Sequence, residues 1–60
     1  MYSWKNNKLY NGTKNTKFSL EEHSEYKNMY FIKFPDGSLS EDFYNISWGK
    51  QNARLLQQRI

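Results

Sequence analysis

Hydrophobic positions follow three patterns along the chain. Near the start, Tyr2 and Trp4 alternate with Ser3 and Lys5, which is the period of a β-strand. Over residues 26–34, Tyr30, Ile32 and Phe34 interleave with Met29, Phe31 and Lys33. This segment is the strongest strand of the sequence, and it carries an aromatic on each face. At the end, Ile46, Gly49, Ala53, Leu56 and Ile60 recur at spacings of three and four residues, which predicts one face of a helix from about Ser47 toward Ile60. Leu55 widens that stripe, and Lys50, Arg54, Gln57 and Gln58 fall on the opposite side. Gly49 and Ala53 are small enough to let the helix axis approach a sheet closely. The glycine lowers helix propensity by about 1 kcal/mol relative to alanine.

Turn chemistry divides these patterns. Asn tolerates positive φ, so Asn6-Asn7 suits a two-residue hairpin turn. By residue type Asn11-Gly12 is a stronger signal still. The favoured reading is a short hairpin at Asn6-Asn7, with the chain leaving the sheet near Asn11-Gly12; the alternative is one longer hairpin tipped at Asn11-Gly12. Residues 13–20 are polar apart from Phe18 and Leu20, and read as a loop or extended arm. Ser19 with Glu22 fits the spacing of a capping box and predicts a brief helical turn. Pro35-Asp36-Gly37 is a turn in which Pro fixes φ and Gly accepts a positive one. Ser38, Leu39 and Ser40 then pair back as a short strand; Ser38 with Glu41 offers a helix start as the weaker option. The expected fold is α+β: a single domain over residues 1–60, with a small antiparallel sheet of two to four strands and one C-terminal helix packed on one face.

Size limits what such a domain can do. A chain of 60 residues buries only about 60% of its unfolded surface, so its stability is marginal. It has no cysteine and one histidine, which excludes disulfide staples and a multi-histidine zinc site. Stability must come from packing, from a partner subunit, or from both, and a homodimer is one way to meet that need. The compensation is aromatic: two Trp, five Tyr and four Phe are more than so small a core can enclose. Several rings are expected at the surface, where Tyr and Trp are enriched at binding interfaces.

Charge is segregated. Residues 1–19 carry four lysines and no acid, residues 20–45 carry six acids and two lysines, and residues 46–60 carry three cations and no acid, for a net charge of +3. This layout fits either a mixed solvated surface or a basic face for nucleic acid or an acidic protein. The longest apolar run, residues 29–32, is far short of the roughly 18 residues that a spanning helix needs, and no signal peptide is evident. The cytoplasm is the expected location, with no membrane partner.

No catalytic constellation is visible, and an enzyme is not expected. His23 lies in an acidic stretch with no nucleophile motif beside it, and reads as a solvated surface side chain. Glu21, Glu22, His23 and Glu25 match no metal-binding loop, and no metal or cofactor is expected. Glu41 and Asp42 read as charges placed ahead of the helix dipole. Two binding readings remain. Trp4, Lys5, Lys8 and Tyr10 interleave rings with cations, and Lys50, Arg54 and Arg59 line the helix, a mixture suited to nucleic acid. The same spare rings and segregated charges suit a protein partner. Trp4, Lys5, Lys8, Tyr10, Lys50 and Arg54 are the candidate partner-binding residues on either reading.

The run from Asp36 through Gly37, Ser38, Leu39, Ser40, Glu41, Asp42, Phe43 and Tyr44 to Asn45 resembles a segment of short uncharacterised proteins of phages and mobile elements. There it resembles a strand–turn–helix core followed by a basic helix, and the likeness covers about the last half of the chain. The small, cysteine-free, Asn/Lys/Tyr-rich character is similar to phage-encoded inhibitors of host machinery, anti-CRISPR proteins among them. The resemblance implies a non-catalytic, stoichiometric binder that blocks a host enzyme or defence complex handling nucleic acid, and it carries over no functional residue. Direct nucleic-acid binding through the basic helix and the N-terminal Lys and aromatic residues is the alternative.

Overall fold

A computed structural model describes residues 1–59; Ile60, the last position of the expected helix stripe, lies outside them. Five antiparallel strands follow one another in space as they do in sequence: β1 (Tyr2–Lys5), β2 (Lys8–Asn11), β3 (Lys14–Glu22), β4 (Met29–Lys33) and β5 (Leu39–Asn45). A single helix, α1 (Ile46–Gln58), then packs back over β3, β4 and β5. The α+β class and the antiparallel sheet with its C-terminal helix are as expected, but the sheet has five strands rather than two to four.

The additional strands come from turn signals that both operate. Asn6 and Asn7 hold φ of 51° and 62°, the paired positive values of the hairpin turn that matches strand twist. Gly12, at φ 66°, turns the chain again, and Asn11 pairs with Lys14 across that turn. The chain therefore does not leave the sheet at Asn11-Gly12. Both hairpins fit because β2, the strand they share, is only four residues long.

The segment expected as a loop is β3, the longest strand at nine residues. Phe18 and Leu20 are buried on the helix side, while Ser19 and Glu21 face the other way. The expected helical turn at Ser19–Glu22 does not form. Ser19 pairs with Lys8 on one side and Lys33 on the other, and two ladders outcompete one capped turn. A bulge interrupts β3 against β2, and Thr16 repairs it. Its Oγ1 donates to the Leu9 carbonyl at 2.7 Å and accepts the Phe18 N–H at 3.3 Å. Ser40 does the same at a second bulge, in β5: its Oγ accepts the Ile32 N–H at 3.0 Å and donates to the Asp42 carbonyl at 2.7 Å. Hydroxyl side chains thus replace missing ladder partners at both irregularities.

β4 forms within the expected 26–34 segment but starts only at Met29, after a turn in which Asn28 holds φ of 64°, with Ile32 fully buried and Tyr30 and Phe34 packed on the core. At the following turn Gly37 has φ 92°, and its N–H donates to the Phe34 carbonyl at 2.9 Å. The chain pairs back as a seven-residue strand, longer than the expected three residues, so the helix start at Ser38–Glu41 is not used. The run that resembles phage segments is therefore turn and strand, with the helix beginning after it. Asn45 caps that helix, its side chain accepting the Trp48 N–H at 2.9 Å.

Leu9, Phe18, Leu20, Ile32 and Ala53 form the core. A Cβ on Gly49 would stand 3.3 Å from Leu20 Cδ2, so the small residue does permit close approach of helix to sheet. Leu55 does not join the packed stripe; it is 50% exposed, and Ile46 lies at the stripe's open end. No helix among the described residues is long and apolar enough to cross a membrane.

Candidate interaction surfaces on the two faces of the sheet

Strand alternation and register decide which side chains share a surface. On the helix side, Trp4 pairs with buried Leu9, and Tyr2 lies two residues before it on the same face. The helix covers β3–β5, so it reaches β1 only through its flank. Lys50 Nζ sits 5.8 Å from the Trp4 ring and the Arg54 guanidinium 5.9 Å from the Tyr2 ring. The Tyr2 hydroxyl also donates to Gln57 Oε1. These contacts fasten the free edge of the sheet to the helix. Beside them runs a shallow groove of about 480 Å³ lined by Trp4, Ser47, Lys50, Gln51, Arg54 and Leu55, with no carboxylate among its walls.

The other face has no helix over it, and its side chains form cross-strand rows. One row runs Lys5–Lys8–Ser19–Lys33–Leu39 over all five strands. A second runs Ser3–Tyr10–Asn15 over β1, β2 and β3. The third is Glu21–Phe31–Phe43 over β3, β4 and β5. Lys5 Nζ lies 5.9 Å from the Tyr10 ring. The third row carries a cluster of rings. His23 stacks on Phe31 with centroids 5.0 Å apart and meets Phe43 edge-on at 4.8 Å. Tyr26 stacks on Phe43 at 5.4 Å and lies 5.0 Å from His23. Tyr26 and Phe43 remain 54% and 39% exposed, so the cluster is open to a partner.

His23 is more than a solvated side chain. Its ring is half-buried in this cluster, and its Nδ1 accepts the Glu25 N–H at 3.0 Å and that of Tyr26 at 3.4 Å. It thereby shapes the loop that presents Tyr26. No group of three or more His, Asp or Glu side chains among the described residues is arranged to hold a metal ion. At the Pro35 turn, the Ser38 hydroxyl and backbone N–H both bond Asp36, which holds its carboxyl below the usual carboxylate range.

The six candidate residues do not form one site. Trp4, Lys50 and Arg54 meet on the helix side, while Lys5, Lys8 and Tyr10 meet on the open face. Sequence reasoning missed His23, Tyr26, Phe31 and Phe43 as a unit, because the ring in an acidic stretch meets two strand residues far along the chain. The signal that was present is the aromatic on the second face of β4. Comparison with family models, with curated proteins and with solved structures finds no match to this chain, so its function has to be argued from these surfaces.

Proposed function

We propose that the chain is a non-catalytic protein-binding module, a stoichiometric inhibitor of phage type that acts in the host cytoplasm on a nucleic-acid-processing or defence complex. One observation supports it above the rest: the stacked Tyr26–Phe43 pair stays exposed on an uncovered sheet face, backed by His23 and Phe31. An aromatic centre on a rigid sheet, with charge around it, is the anatomy of a protein interface. Glu21 lies in the same cross-strand row and Glu25 in the adjoining loop, so part of the rim is acidic, while Lys33 borders the cluster on the other side. The acidic part complements the basic surface that an enzyme presents to a phosphate backbone, and complementarity of this kind speeds encounter and fixes register. The inhibitor character comes from the resemblance of the 36–45 run and of the overall composition.

The test uses the full chain as bait in a bacterial lysate, followed by calorimetry with the purified captured protein. The expected result is saturable binding at one chain per site, weakened about ten-fold or more by Phe43→Ser or Tyr26→Ser while the circular-dichroism spectrum is kept. Binding unchanged in both variants would remove the aromatic cluster as the interface.

A further inference from the structure

The row Lys5–Lys8–Ser19–Lys33 contains three lysines and no acid, and it crosses β1 to β4, about 14 Å at the usual strand spacing. Two features of this patch work against folding. Lys5 and Lys8 stand directly opposite each other, a like-charge pair that destabilises a hairpin. Lys17, at the β3 bulge, holds φ of 72°, in the left-handed region that a side chain disfavours. Its N–H donates to Asn15 Oδ1 at 2.8 Å, which fixes the bulge. Lys17 and Lys8 then line a depression of about 130 Å³ with Asn15, Phe18 and Ser19. Unfavourable charge and backbone strain gathered at one place point toward a ligand site.

Rings stand on both sides of the lysine row. Tyr10 lies in the row before it, and Phe31 and Phe43 in the row after it. We propose that the lysine half of the open face binds single-stranded nucleic acid, with the phosphates along Lys5, Lys8, Lys17 and Lys33 and bases reaching Tyr10 and the Phe31–Phe43 edge. The charge of the row matches a phosphate backbone, and every base offers a π-face to an aromatic. Rings set beside the cations favour a single strand, whose bases are free to stack, over a duplex, whose bases are stacked inside. This proposal stands apart from the protein-binding function. It rests on the lysine row and Tyr10, shares only Phe31 and Phe43 with the protein-binding cluster, and is read out by an oligonucleotide rather than a captured protein.

Fluorescence polarisation of labelled oligothymidylate and oligouridylate, each about 12 nucleotides long, would test it with the full chain across a salt series. Binding is expected with a log–log salt slope of about −3, the value for four phosphates at about −0.7 each on a single strand. Lys5→Gln/Lys8→Gln should weaken binding about ten-fold and bring the slope toward about −1.4, the value for the two cations that remain. Lys50→Gln/Arg54→Gln on the helix side should stay within about two-fold of the unsubstituted chain. The lysine double variant should melt no lower than the unsubstituted chain, because it relieves the like-charge pair. No binding at about 50 mM salt overturns the proposal. So does equal affinity for heparin or for duplex of the same sequence, or loss through the helix variants instead. Loss of a captured protein, with no oligonucleotide binding, would reassign the row to a protein contact.

Discussion

The two faces of one sheet are built in opposite ways. The helix side is filled: Leu9 and Ile32 are fully buried, Phe18 meets Phe34 edge-on at 5.6 Å, and small Gly49 and Ala53 bring the helix down onto Leu20. Lys50 lies over Trp4 and Arg54 over Tyr2, as Lys5 lies over Tyr10 on the open face. The open face leaves rings half-covered, sets lysine against lysine, and holds Lys17 in a disfavoured conformation. Residues of the same chemical type are therefore packed on one side and left open on the other. Aromatic content and net charge alone do not separate the two environments; register does.

Substitutions on the two faces should behave differently. The largest contrast is between two phenylalanines. Phe18→Ala removes a 2%-exposed ring and should cost about 3–5 kcal/mol, a large part of the roughly 3–9 kcal/mol expected for a domain of this size. Phe43→Ala, on the open face, should cost only about 1 kcal/mol in the same urea melt. Equal costs would mean that the open face is core. Gly49→Leu should destabilise by about 1–3 kcal/mol through crowding against Leu20 and Tyr44, seen as a lower midpoint at unchanged m-value.

Thr16→Val keeps the shape of the side chain but strips the Leu9 carbonyl and the Phe18 N–H of their hydroxyl partner. A loss of about 1–2 kcal/mol is expected, with faster hydrogen exchange at Phe18. Lys17→Gly should do the reverse and stabilise by up to about 1 kcal/mol, since glycine accepts positive φ, while weakening oligonucleotide binding. The smallest effect belongs to Asp36. Its carboxyl is held below the ordinary value in the folded chain, so the associated stability is fully present above the unfolded carboxylate pKa and disappears as pH falls through the folded one. Asp36→Asn should flatten that part of an acid melt and lower the neutral-pH midpoint slightly.

Much of the fold was legible from short-range pattern. The Asn6-Asn7 turn, the β4 alternation, the Pro35 turn and the Gly49–Ala53–Leu56 stripe each express a local rule that tertiary structure did not override. β3 was not legible, for a physical reason. The bulge at Thr16 and Lys17 shifts the register in the middle of the strand, and Phe18 and Leu20 are too few to show a period past that break. The candidate site was half legible. Lys5, Lys8 and Tyr10 were found because they are neighbours in sequence. Lys33 and the His23–Phe31–Phe43 cluster join them only through pairing across β3 and β4, which no local window contains.

The division between the faces can be observed residue by residue. Amide chemical shifts of the ¹⁵N-labelled chain, followed while oligothymidylate is added at low salt, should move at Lys5, Lys8, Tyr10, Lys17 and Lys33 and stay still at Gly49, Lys50 and Arg54. Largest shifts along the helix groove, from Ser47 to Leu55, or none anywhere on the sheet, would contradict the assignment of binding to the open face.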